Sequence, residues 1–126
     1  MAQLSVMALR VIEAFAGNAG IVAQPAPDFS YGFEFAERGT LSIMAAEDGQ
    51  RIIVCLSRRP RRSGIAVLKD LLDIAGYDPF SGSMVHAGLA IDGALALAID
   101  MDEPRFDLQS LDEALSRLDE LHRSLQ

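Results

Sequence analysis

The side chains that carry most enzyme chemistry are scarce in this sequence of 126 residues, which has two histidines and one cysteine. Neither His86, in an alternating apolar stretch, nor His122, in a leucine-rich one, has Cys, Asp or Glu partners at a recognisable metal-ligand spacing. Cys55 lies in an apolar strand pattern without a nearby activating group, which is typical of an unreactive thiol. We therefore expect no catalytic, cofactor-binding or metal-binding residues, and no enzyme activity.

Two charged clusters remain to be explained. Asp100, Asp102 and Glu103 lack the glycine and the distal glutamate of a calcium loop, so a solvated turn ending at Pro104 is the preferred interpretation. The run from Arg58 to Arg62 holds four of the eleven basic residues. It is either a contact for an acidic partner segment or a solvated connection that keeps the sheet end soluble, and we prefer the second.

Composition excludes several classes of protein. The formal net charge of -7 argues against nucleic-acid binding, which depends on Lys and Arg. Half of the residues are hydrophobic, so the chain should fold, and its length predicts a single domain spanning 1–126. The N-terminus lacks the pattern of a signal peptide, and no apolar run approaches the ~20 residues that span a bilayer. These features fit a cytoplasmic protein that does not insert into membranes.

Hydrophobic periodicity predicts an α+β fold with three helices and an antiparallel sheet of five strands, in the order α-β-β-β-α-β-β-α. The predicted helices cover 3–16, 65–75 and the chain from 107 onward, and the predicted strands cover 31–35, 41–45, 52–56, 84–91 and 94–100. Asp48-Gly49 and Asp92-Gly93 favour hairpin turns between neighbouring strands. Gly76 should end the second helix, and 77–82 should form a loop.

The first helix carries apolar residues where a surface helix should be polar. Val6 and Leu9 fall inside the arc that also holds its polar side chains. Either the N-terminus is well buried, or the helix exposes an apolar strip that another chain covers. The sequence leaves both interpretations open.

The second helix is apolar over about half of its circumference, which is wider than one packing face requires. Only Lys69, Asp70 and Asp73 are polar, so a second apolar neighbour is implied. In so small a domain, a second copy of the chain is the economical candidate, and a twofold homodimer would bury both faces.

This layout resembles the class I effector chaperones of type III secretion, which are small acidic bacterial homodimers with the same element order. The local matches are F-E-F-A-E at 33–37, V-L-K-D-L-L-D-I-A-G at 67–76, L-A-I-D-G at 89–93 and D-L-Q-S-L-D-E-A-L-S-R-L at 107–118. The similarity covers nearly the whole chain, through layout and spacing rather than one strong motif. Gly76-Tyr77 departs from the polar residue that often follows the second helix in the family.

The resemblance implies a cytoplasmic chaperone without a cofactor, which binds the N-terminal segment of a secreted effector as an extended chain. It places effector contacts at Val6, Leu9, Phe33 and Phe35. It places the dimer interface at Leu68, Leu71, Leu72 and Ile74. The alternatives are a small α+β ligand-binding or regulatory module of another family, or an enzyme fragment, which would need convergent polar groups in a pocket.

Overall fold

A computed structural model of the protein describes residues 3–23, 25–62, 64–90 and 92–126. In chain order its elements are α1 (Val6–Asn18), β1 (Tyr31–Phe35), β2 (Gly39–Ala45), β3 (Arg51–Arg58), α2 (Ile65–Ile74), β4 (Gly76–Asp78), β5 (Ser83–Leu89), β6 (Leu95–Asp102), a 3-10 turn (Glu103–Arg105) and α3 (Leu108–Ser124).

The predicted α+β class and antiparallel sheet are confirmed, but the prediction of five strands is wrong. The sheet has six strands in the order β1-β2-β3-β6-β5-β4, with every neighbouring pair antiparallel. The additional strand, β4, occupies part of the segment that was predicted to be a helix stop and a loop. Gly76 adopts a φ of 122°, so the chain turns directly from α2 into this short edge strand.

An ion pair with α3 anchors β4 and the turn that follows it. Arg117 binds Asp78 through two hydrogen bonds, from Nε to Oδ2 at 2.8 Å and from Nη2 to Oδ1 at 2.9 Å. The Arg117 hydrogen bonds lower the pKa of Asp78 to about 2. The guanidinium also lies 4.6 Å from the ring centre of Phe80. Asp78 and Arg117 are 39 residues apart, so the local sequence gives no sign of the strand that they stabilise.

Local caps set the helix boundaries. The Ser5 side chain accepts a hydrogen bond from the backbone N–H of Ala8, so α1 begins at Val6 rather than at residue 3. Asp107 caps α3 and forms a reciprocal capping box with Ser110. Ile91, the predicted end of the fourth strand, lies outside the described residues.

One face of the sheet holds the core, because alternate strand residues point toward the helices. Leu41, Val54 and Leu97 are fully buried there, and the helices contribute Ile12 and Leu118. Complete burial of such a side chain stabilises the fold by roughly 1.5–3 kcal/mol. The opposite face is more exposed, and several of its residues are small. These include Ser42, Cys55, Ser57, Ala96 and Ala98.

Candidate functional site

The N-terminal helix exposes the large apolar side chains of two consecutive residues. Val6 is 66% exposed and Met7 is 74% exposed, whereas Ala8 and Ile12 on the same helix are buried in the core. The helix therefore packs through one face and leaves apolar residues on another. We call this pair, with the groove described next, the α1 surface.

A groove of about 650 Å³ runs beside Met7 and is lined in part by Ala8, Pro104 and Phe106. Pro104 belongs to the 3-10 turn after β6, and Phe106 is a core residue that precedes α3. The groove thus joins the first helix to the connection between the last strand and the last helix. A partner's apolar side chain placed there would contact Met7 and remove its surface from water.

The other predicted effector-contact residues lie deeper. Phe33 is only 2% exposed and packs edge-to-face on Phe15, with ring centres 5.4 Å apart. Phe35 and Leu9 are partly buried, and Phe35 also stacks edge-to-face on Phe15 at 6.5 Å. The structure therefore brings these aromatic residues together beneath α1, where Phe33 supports the helix. Sequence reasoning did not select Met7, whose signal was its place at the margin of the polar arc.

The second helix has a clear division between inward and outward residues. Val67 and Leu71 are buried against the core, whereas Leu68 is 37% exposed and Leu72 is 69% exposed. Ile65 is exposed as well, so residues 65, 68 and 72 form one stripe at helical spacing. We call this stripe the α2 surface. Of the four predicted dimer residues, Leu68 and Leu72 lie on it, Leu71 faces the core and Ile74 is partly buried.

The stripe continues into a second apolar groove, of about 290 Å³, between α2 and the hairpin of β5 and β6. Leu68, Leu89 and Leu95 line its apolar part. Leu89 is 60% exposed at the end of β5. The exposed apolar area therefore extends from the helix onto the edge of the neighbouring hairpin.

The polar candidates named from the sequence lie on several elements, with Cys55 on β3, His86 on β5 and Asp100 on β6. His86 Nε2 lies 3.3 Å from Asp100 Oδ1, and a hydrogen bond from Arg51 Nε at 2.7 Å holds the pKa of Asp100 below its usual range. Burial raises the pKa of the Cys55 thiol, so its reactive thiolate form is disfavoured. Among the described residues, no cluster of three or more His, Cys, Asp or Glu side chains could hold a metal ion. Within the same residues, no helix has the length and apolar character to cross a bilayer.

The arginine run divides between the interior and the surface. The Arg58 side chain is only 9% exposed and pairs with Asp119, so the preference for a wholly solvated run is wrong at this residue. Arg59 and Arg61 are exposed. Burial opposes ionisation of Asp119, but the hydrogen bond from Arg58 and the charges of three nearby arginines hold its pKa below the usual value.

His122 is the one buried histidine among the described residues. Its Nε2 atom lies 2.7 Å from the carbonyl oxygen of Leu56, so that nitrogen carries the proton and donates it. Burial lowers the pKa of His122, and Arg58 acts in the same direction, while the Leu56 carbonyl and Asp119 oppose the shift. The histidine is a neutral structural link between α3 and β3.

This burial makes stability dependent on pH. Below pH ~6.5 the unfolded chain binds a proton at His122 that the folded chain does not take up until a lower pH. We therefore expect stability to fall as the pH decreases from 7 to 5. His122→Gln keeps a donor for Leu56 but removes the titration, so its urea midpoint should change less between these pH values. His86→Gln is the control at an exposed histidine, and it should behave like wild type. Equal loss for wild type and His122→Gln would assign the effect to other groups.

Comparison with solved structures decides the fold. The chain is similar to the Yersinia pestis type III secretion chaperone SycH, solved with a stable fragment of YscM2. The TM-score is 0.71 at 15% identity, covering 94% of this chain and 99% of that chain. The chain has the fold of the type III secretion chaperones.

Two further structures support this assignment. The HopA1-SchA chaperone-effector complex matches with a TM-score of 0.69 at 12% identity, covering 97% of both chains. The ExsC-ExsE complex matches with a TM-score of 0.75 at 14% identity, covering 98% of this chain and 94% of that chain. No family model and no curated protein matches the sequence. At these identities, it is the chaperone fold that is shared.

Proposed function

We propose that the protein is a non-catalytic, cytoplasmic chaperone of bacterial type III secretion. In this proposal it binds the N-terminal segment of a secreted effector as an extended chain and keeps that segment soluble and competent for secretion. The observation that carries the proposal is the α1 surface, where Val6 and Met7 expose apolar area beside a groove in a chain with this fold. Similar folds occur in complexes whose partners are named as an effector, HopA1, and as a fragment of YscM2.

The edge of the sheet offers backbone hydrogen-bonding groups to the same N-terminal segment of the effector. β1 is an edge strand, and it pairs with β2 along its whole length. Its other edge meets a single described bridge, between Tyr31 and Pro25. An extended segment could therefore add to this edge through main-chain hydrogen bonds while its apolar side chains cover α1. Leu9 and Phe35, which are partly exposed beside these elements, remain our candidates for further contacts.

We further propose that the functional unit is a homodimer formed through the α2 surface. Leu68, Leu72 and Ile65 present an apolar stripe that the core of one chain does not cover. A twofold axis beside α2 would set this stripe against its own copy, so each chain would supply the apolar neighbour that the other needs. Leu71 and Ile74 would then support the interface from beneath, by fixing α2 on the sheet.

Co-expression with the product of a neighbouring gene tests the chaperone function. Wild-type protein should co-purify with that secreted protein and should protect its N-terminal segment from proteolysis. The double variant Val6→Glu, Met7→Glu should lose the complex, because charges then occupy the α1 surface. Val22→Glu is the matched control, since Val22 is 82% exposed but lies outside α1.

The two variants separate loss of binding from loss of folding. Circular dichroism should show wild-type helix and strand content for both, because the replaced side chains are exposed. If the double variant retains the complex at wild-type yield, the α1 surface is not the binding site. If wild-type protein neither co-purifies with nor protects the partner, the chaperone proposal itself fails.

A further inference from the structure

Basic side chains gather at one end of the sheet although the chain is strongly acidic. A cavity of about 930 Å³ opens there between the β1–β2 turn, the end of β3 and the end of α3. Five of the eleven basic residues of the chain line it. These are Arg38, Arg58, Arg59, Arg61 and Arg123. We call this cavity the arginine pocket.

The fold holds the floor of the arginine pocket rigidly. Arg58 donates from Nε to the carbonyl oxygen of Arg38 at 2.7 Å, and its Nη2 atom donates to the buried carboxylate of Asp119. Arg123 donates from Nη2 to the same carboxylate at 2.8 Å. Arg38 Nε lies 4.0 Å from it. A single carboxylate thus stands among three guanidinium groups, and their positive charge is only partly compensated.

The two other lining arginines, Arg59 and Arg61, lie at the rim of the pocket. Arg59 lies 3.7 Å from Asp92, and both side chains are well exposed, so water screens this pair strongly. Arg61 is exposed and forms no ion pair with any described residue within 4.0 Å. Glu37 is the third lining carboxylate, so five guanidinium groups face three carboxylate side chains. The pocket is therefore net positive on a molecule whose net charge is -7.

From this arrangement we infer that the arginine pocket binds an acidic stretch of the partner polypeptide. Guanidinium groups form paired hydrogen bonds with carboxylates, and here they are distributed over three elements along an open cavity. Such a distribution suits several carboxylates on an extended chain better than one small anion. The pocket also includes Ala36 and Glu37, which directly follow the edge strand β1. A segment that pairs with β1 would therefore continue into it.

This inference rests on the proposed function, but the pocket can be tested separately with a defined peptide. The probe is a fluorescein-labelled peptide of twelve residues that carries four glutamates among Gly and Ser, measured by fluorescence anisotropy at low salt. Wild-type protein should bind it, and added salt should weaken the binding. Arg38→Glu and Arg61→Glu should each weaken binding about tenfold. Arg105→Glu makes the same charge change outside the pocket and should leave the affinity unchanged.

Each outcome separates the pocket from the chaperone role. Loss of peptide binding in Arg38→Glu and Arg61→Glu, with normal binding by Arg105→Glu, supports the inference. Absence of binding to wild-type protein, or equal affinity for all four proteins, overturns it even where the secreted partner still co-purifies. A poly-thymidine oligonucleotide or inorganic phosphate that binds as tightly as the peptide overturns the assignment to a polypeptide. Failure of co-purification with normal peptide binding would instead count against the proposed function.

Discussion

Leu71→Glu should unfold the protein, whereas Leu72→Glu should leave it folded but monomeric. The two leucines are adjacent on α2, yet Leu71 is 4% exposed and Leu72 is 69% exposed. Glutamate at position 71 would place a charge in the core, at a cost of more than about 4 kcal/mol. Glutamate at position 72 would change the stability of a single chain by less than about 0.5 kcal/mol, because that side chain already lies in water.

The second substitution acts on the dimer instead. In a twofold dimer both chains carry the Leu72→Glu substitution. Two unpaired carboxylates would therefore meet where apolar surfaces should pack. Sedimentation velocity over a range of concentrations measures the association, and circular dichroism measures the fold. Ala66→Glu is the control, since it adds the same single charge at an exposed position next to Asp70, on the polar side of the same helix.

Two results would contradict this account. A Leu72→Glu variant that remains dimeric at wild-type concentrations would place the interface elsewhere. A Leu71→Glu variant with wild-type stability would mean that the inward and outward faces of α2 are reversed. The paired design matters because a substitution of Leu71 alone confuses unfolding with dissociation.

The distinction between these leucines illustrates what the sequence could predict. Periodicity established that α2 has more apolar residues than one face requires, and this is what the structure shows. It could not determine which leucines face the sheet, because the apolar residues cover about half of the helical circumference. The rotation of the helix is fixed by its packing against β5, which leaves Val67 and Leu71 buried.

Five of the six strands could be predicted from the pattern of neighbouring residues, whereas the additional strand, β4, could not. Alternation and Asp-Gly turns are properties of neighbouring residues, so β1, β2, β3, β5 and β6 could be recognised from the sequence. β4 has three residues and depends on its partner in β5 and on the Asp78–Arg117 ion pair. Such a short strand has no periodicity of its own.

The contacts of the aromatic residues and the burial of Arg58 could not be predicted from the sequence for the same reason. Alternation places Phe33 and Phe35 on one face of β1, but it does not say that Phe15 of α1 covers that face. The Arg58 and Asp119 side chains meet across 61 residues of sequence, so a run of arginines looked like a solvated connection. Contacts between distant elements decided both cases.

Substitution of Gly39, which lines the arginine pocket, should have a second large effect on stability. Gly39 begins β2 with a φ of 105°, and an added Cβ atom would lie 2.1 Å from the backbone oxygen of Ser57. Because the obstructing atom belongs to the backbone of β3, no side-chain rotation can relieve the contact. Gly39→Ala should therefore destabilise the protein by about 3 kcal/mol or more, combining the strained φ with displacement of the β1–β2 turn.

Gly17→Ala provides the matched control for this substitution. Gly17 lies within α1, where an added Cβ meets nothing within 4 Å, so alanine should stabilise the helix by up to about 1 kcal/mol. Urea unfolding of both variants measures the difference in stability, and equal midpoints would contradict the close packing of Gly39 on β3. Displacement of the turn would also move the Arg38 carbonyl away from Arg58, because these groups form a hydrogen bond in the native fold. Folded Gly39→Ala protein should consequently bind the acidic peptide more weakly than Gly17→Ala, which links the shape of the turn to the charge of the pocket.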